Sequence, residues 1–188
     1  MMPGNRRAAK YEPGRPVLEY LRQPLYDRKQ LAAAGVQTLV FFRTALGGTL
    51  RDTNLNNAGS LPAPHTFDAF GISLFVQQGT VAADLELLLN QSFISFKISE
   101  KPYLNVMTHM LPASGGLYGF ATANNIFEAQ NGIPSPLVYL PLDLEGEPLH
   151  LPSQQDFQVE LTTTNTAANF SATIDLWCIL HGIYGRPA

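Results

Sequence analysis

From Phe170 to Tyr184 the chain alternates in character at every second residue. Phe170, Ala172, Ile174, Leu176, Cys178 and Leu180 fall on one side, and Ser171, Thr173, Asp175, Trp177, Ile179 and His181 on the other. Successive side chains of a strand point to opposite faces, whereas a helix would scatter this pattern around its axis. The segment is therefore a strand whose first face is buried. The second face begins polar and ends apolar, so one end is solvated and the other covered.

The same period recurs upstream. Val36 to Phe42 is β-branched and aromatic and lies between Gly35 and Gly47-Gly48. In Phe67 to Gln77, Phe70, Ile72, Leu74 and Val76 share one face and Phe67, Ala69 and Phe75 the other, which predicts a strand covered on both sides. Ile94, Phe96 and Ile98 alternate with Ser95 and Lys97. Phe157, Val159 and Leu161 alternate with Gln158, Glu160 and Thr162. Tyr103–Met110 and Leu137–Leu142 are further strand candidates. Thr80–Asn90 is the one helical pattern: Val81, Leu85, Leu88 and Leu89 lie on one stripe, with Thr80 as the expected N-cap. Leu111–Pro136 reads as a long loop, of a length that usually carries function or an interface.

These signals predict an all-β domain: a single jelly-roll β-sandwich or barrel of about eight strands at residues 31–188, with one short helix as a lid. Pro3, Pro13, Pro16 and Pro24 make residues 1–30 an extended arm. The arm is basic. Residues 1–29 hold seven basic and three acidic side chains, a balance of +4, against five basic and twelve acidic in the rest, a balance of −7, for −3 overall. Arg6, Arg7, Lys10 and Arg15 are the candidate contacts to nucleic acid or acidic lipid, and would give weak, salt-sensitive attraction. The apolar second half of the arm is expected to lie along its own barrel or a neighbour's.

Chemistry is sparse. The single cysteine, Cys178, excludes an internal disulfide, and in its apolar run it reads as a buried, inert thiol. His65, His109, His150 and His181 show no metal-ligand spacing, so a cupin-like metal site would need distant histidines to converge. No nucleophile elbow, P-loop or dinucleotide fingerprint occurs. Asp143, Glu145 and Glu147 read as a solvated turn rather than a Ca²⁺ loop. Asn90 and Asn169 stand in glycosylation sequons. Met1–Lys10 lacks the apolar stretch of a signal peptide, and no apolar run is long enough to span a bilayer. The expectation is a protein with no catalytic residues and no cofactor.

Only 14% of the residues are charged, against about 25% in ordinary soluble domains. Interfaces are depleted in Lys and Glu, so the expected partner is another copy of the chain. Tyr20, Leu21, Tyr26, Tyr118, Phe120 and Phe127 are the candidate subunit-interface residues.

Gly35 to Phe42, Thr53 to Pro64 leading into Phe70 to Phe75, and Leu180 to Pro187 resemble segments of small structural proteins of tailless icosahedral bacteriophages with an internal membrane, whose capsids are built from single jelly rolls. The resemblance spans roughly residues 35–187. It implies a virion subunit made in the host cytoplasm, with an upright barrel. Its capsomers would be trimeric, pentameric or hexamer-like, formed with itself or with a second capsid protein. The arm would face the genome or an internal membrane. A decoration, vertex or receptor-binding protein with the same fold is the alternative, and a cupin-like metalloenzyme the third reading.

Overall fold

The computed structural model describes residues 18–43, 49–77, 79–112, 139–143, 145–164 and 170–187. These residues form an all-β sandwich with one helix. The strands are β1 (Leu18–Leu21), β2 (Leu25–Leu31), β3 (Thr38–Phe41), β4 (Thr66–Val76), β5 (Ser92–Ile98), β6 (Lys101–Met107), β7 (Leu140–Pro141), β8 (Leu149–Leu151), β9 (Phe157–Thr163) and β10 (Ile174–Pro187). The helix, α1, is Ala82–Asn90.

One sheet runs β1-β10-β4-β7, with β2 also on β10 and β8 also on β4; the other runs β3-β9-β5-β6. Because β1 and β2 share one side of β10, and β7 and β8 one side of β4, both sheets are four positions wide. Every pairing is antiparallel. The pairs β2·β10, β3·β9, β4·β8 and β5·β6 nest like one long hairpin. The pairs β10·β4 and β9·β5 then close it into two layers.

The core lies between the layers and includes Leu31, Phe41, Ile72, Phe96, Val159 and Leu180, each fully buried. Side chains of this kind contribute about 1.5–3 kcal/mol apiece on burial. β10 sits at the centre of its sheet, and Ile174, Leu176, Cys178 and Leu180 point inward as the alternation requires. Leu85 and Leu88 of α1 are buried, and the helix packs on β5 and on the short 3-10 turn Thr108–Met110.

The structure corrects four expectations. The register of β4 against β10 slips at Phe70, because His181 faces Gly71 and Gly182 faces Ala69. This β-bulge reverses the parity of β4, so Phe67 and Ala69 before it and Ile72, Leu74 and Val76 after it all enter one core. Within residues 18–30, assigned to the arm, lie strand β1 and all of β2 but its last residue; the second half, expected to lie along its own barrel or a neighbour's, pairs with β10 and places Leu25 in the core. Thr80 does not cap α1. Its hydroxyl donates to the Gln77 carbonyl, and Val81 holds the cap position with no side-chain bond. Tyr103–Met110 is a strand only to Met107; of the Leu137–Leu142 candidate, residues 137 and 138 lie outside the described residues and the rest contains the two-residue β7.

One acid faces inward. Asp27 on β2 is 2% exposed, accepts the Phe42 N–H at 2.7 Å and lies 3.4 Å from Lys29 Nζ. Burial raises its pKa above 3.8 despite those partners. Its contribution to stability is thus full below 3.8 and falls away as pH rises through the folded value. Phe42, at φ 68, is the residue whose amide this carboxylate satisfies.

Candidate assembly surface

The even residues of β2 and the odd residues of β10 form the outer face of the β1-β10-β4-β7 sheet. Arg28 stands there between two carboxylates, 2.7 Å from Asp52 and 2.5 Å from Asp175, with its guanidinium 5.6 Å from the Trp177 ring. Gln30 donates to Asp175, and Phe75 meets Trp177 edge-on. Asp52 belongs to a strap, residues 49–54, laid across β2. Arg28 N donates to the Asp52 carbonyl and Asn54 N to the Tyr26 carbonyl, and Thr53 bridges Asp27. The strap covers an edge that would otherwise be open to further strand pairing.

The electrostatics of this clamp have a definite sign. Hydrogen bonds from Arg28, and then from Thr49, hold Asp52 below 3.8. Burial opposes ionisation of Asp175, but bonds from Arg28 and Gln30 and the charges of Arg28 and Arg51 outweigh it, so its pKa is also lowered. The stabilisation is therefore complete above the unfolded value of 3.8 and is lost as pH falls through the folded values. Trp177 is the only tryptophan. Its emission is expected to shift on acidification through the carboxylate range. The shift should be smaller in Asp175→Asn, where only Asp52 is left to titrate beside Arg28. A wild-type emission that stays flat until global unfolding contradicts the clamp.

Further along the same face, Ser73 Oγ and His181 Nε2 lie 2.8 Å apart and the Tyr139 ring covers His181. Gly71 makes the room, since a Cβ there would overlap the Tyr139 ring. Burial lowers the His181 pKa below 6.5, so the neutral ring is the favoured form. His65 bonds Tyr184, and His150 bonds Asp68. His65, His150 and His181 thus engage separate partners, His109 is exposed, and no group of three or more potential ligands forms among the described residues. Asp143, Glu145 and Glu147 are exposed around a turn made by the positive φ of Glu145 and Gly146. Cys178 is fully buried, and burial pushes its pKa well up.

The opposite outer face, on β3-β9-β5-β6, is built in cross-strand rows. One row is Met107, Phe93, Thr162 and Thr38; the next is Asn105, Ser95, Glu160 and Val40. In these rows only Glu160 ionises, and Lys97 of the following row neutralises it at 2.5 Å. Phe93, Met107 and the adjoining Met110 are 37%, 39% and 52% exposed.

Of the predicted interface residues, Tyr20 is exposed on β1, where its ring lies over Gly185, and Leu21 is half-buried beside it. Tyr26 is half-buried on β2 and spends its hydroxyl on the Leu50 carbonyl. Tyr118, Phe120 and Phe127, and the arm residues Arg6, Arg7, Lys10 and Arg15, lie outside the described residues. Leu50, Phe93, Met107 and Met110 are further large apolar side chains that stand exposed. Phe93 was legible by parity, because it falls on the polar side of the Ile94, Phe96, Ile98 alternation. Leu50 had no periodic signal.

The geometry defines an antiparallel all-β sandwich with a charge-poor exterior. No helix among the described residues is long and apolar enough to cross a membrane. No protein-family model, curated protein or solved structure matches the chain.

Proposed function

We propose that the chain is a structural virion protein, a shell subunit folded as a jelly roll that assembles with copies of itself. Support for the jelly roll comes from the sheet order. Counting β1 with β2 and β7 with β8 as single strands gives eight. Their order, 1-8-3-6 in one layer and 2-7-4-5 in the other, is that of a hairpin rolled into two Greek keys. Capsid subunits are one of the uses of that architecture, so the fold alone does not choose among them.

The observation that carries the functional reading is the charge-poor exterior. The cross-strand rows on the outer face of β3-β9-β5-β6 leave Phe93 and Met107 in water and hold one carboxylate, which Lys97 neutralises. Such a face suits close contact with another subunit better than solvation. The basic residues Arg6, Arg7, Lys10 and Arg15 belong to the same reading as contacts to genome or membrane inside the shell.

Light scattering on the purified chain, followed over concentration, tests this. The expected result is ring-sized or larger assemblies of closed symmetry. A monomer that persists to millimolar concentration refutes the reading. Assembly confined to a few copies per particle at the vertices would instead favour a decoration protein with the same fold.

A further inference from the structure

We propose that His181 and Tyr139 form an acid-operated catch, in which a proton on His181 drives Tyr139 from its notch at Gly71 and frees β7 from the edge of β4. The device belongs to the folded subunit and does not depend on the shell-subunit reading.

Four residues on the outer face of the β1-β10-β4-β7 sheet build the catch. His181 lies on β10, and its Nε2 stands 2.8 Å from the hydroxyl of Ser73, which is fully buried. The Tyr139 ring covers the imidazole, with the centroids 5.1 Å apart and a tilt of 31°. That ring fits because Gly71, opposite His181, has no side chain. A Cβ there would stand 2.6 Å from Tyr139 Cγ and closer still to Cδ2. The imidazole is thus closed between a buried hydroxyl and an aromatic ring.

No counter-charge meets it. The acid on β4 is Asp68, which stands opposite Ile183 and is bonded by His150 of β8 at 2.7 Å. On β2, Tyr26 stands opposite Ile179, Asp27 is turned into the core beside Lys29, and Arg28 holds Asp175. Glu19 of β1 is spent on Arg186, Tyr184 bonds His65, and Arg22 in the β1–β2 link is exposed. Tyr139 faces the ring from the β7 side, and Asp143 past the end of β7 is exposed. A proton on His181 therefore creates a cation with neither water nor a carboxylate to receive it. The Tyr139 face attracts a cation, which opposes this cost, but closure over a buried hydroxyl gives desolvation the larger share. Burial accordingly holds the His181 pKa below 6.5. The catch is at full strength above 6.5 and weakens as pH falls from there through the folded value.

Tyr139 is the part that yields. β10 and β4 are joined over ten paired positions, whereas β7 pairs with β4 through Leu140 and Pro141, followed by the Leu142 N–H on the Phe70 carbonyl at 2.8 Å. Local opening takes the element with the fewest such ties. Its departure admits water to the imidazolium and uncovers the edge of β4 at Gly71 and Ile72, where another strand could add.

Hydrogen exchange of the full-length chain, corrected for the intrinsic effect of pH, reads the catch at residues 139–143. Wild type is expected to keep protection there at about pH 8 and to lose it at about pH 5, the range over which histidine changes charge, while β5 and β9 stay protected. His181→Phe combined with Ser73→Ala keeps a ring under Tyr139 and leaves no unpaired hydroxyl. It should stay protected at both pH values. Gly71→Ala fills the notch and should lose protection at both. The His181 imidazole resonance, followed in the wild-type chain and so independent of any variant's folding, should titrate below 6.5. Protection that survives in wild type at the lower pH overturns the inference, as does equal loss in the double variant. A His181 that titrates above 6.5 overturns it too, because Tyr139 would then be holding the cation in place. Each of these failures is local and leaves the assembly reading untouched.

Discussion

Phe96→Ala is expected to destabilise the sandwich by about 4 kcal/mol and to lower its melting temperature by roughly 12 °C. Phe96 lies on β5 between β6 and β9, pairs with Leu104 and Val159, and is fully buried. β5 is hydrogen-bonded on both sides and cannot move into the space the ring vacates. The substitution therefore loses both the transfer free energy of the ring and the contacts of the atoms left lining the void. Phe96→Leu keeps most of the volume and should lose only about 1 kcal/mol. Thermal unfolding of the two variants checks the difference. A Phe96→Ala protein melting within a few degrees of wild type would show that the core refills around this site.

Gly182→Ala should cost about 3 kcal/mol, a large effect for one added methyl group. Gly182 occupies the bulge register on β10, opposite Ala69, and its missing side chain would point inward between Leu180 and Tyr184. An added Cβ would stand 2.5 Å from Phe67 Cζ and closer still to the Asp68 carbonyl oxygen. That oxygen belongs to the neighbouring strand and cannot rotate away as a side-chain tip could. Relief would require β4 and β10 to separate where the bulge sets the register, or Phe67 to leave the core. Gly146→Ala is the comparison: its φ is 85 and its surroundings are open, so it should cost only the about 1 kcal/mol of a left-handed alanine. Equal losses in the two variants, measured by denaturant unfolding, would contradict the close approach at Gly182.

Much of the fold was legible because strand formation on a half-buried sheet imposes a period of two. β5 and β9 stand close to where the alternation put them; β10 begins four residues later than expected, at Ile174, which leaves Ala172 exposed instead of inward, and the inward residues of its strand are ones the pattern selected. The second half of the arm lies along its own barrel, one of the two places expected, but its strand pairing was not legible because Pro24 and several charges hid β2. Asp27 sits on the inward side of that strand, and an inward acid breaks the hydrophobic pattern. The Phe42 N–H, delivered from the end of β3, and Lys29, two residues along the same strand, make that burial tolerable.

The candidate site was less legible. Tyr26 was singled out as a contact for another subunit; within its own chain its hydroxyl holds the strap, a role with no local signal. Leu50 was overlooked because nothing local distinguishes an exposed leucine from a buried one. Arg28, Asp52 and Asp175 are far apart in sequence, and their convergence depends on the pairing of β2 with β10 and on the path of the loop over them.

By itself the sequence determined the strand-forming segments, the single helix, the shortage of charge and the absence of familiar catalytic motifs, all properties of neighbouring residues and of composition. Tertiary structure alone decided the order of strands in the two sheets, the bulge that reverses β4, the inward acid and the pinned strap that presents Leu50. The reason is physical. Alternation fixes which faces of a strand differ, but which strand lies beside it, and in what register, depends on pairing between residues over a hundred positions apart, as Arg28 and Trp177 are.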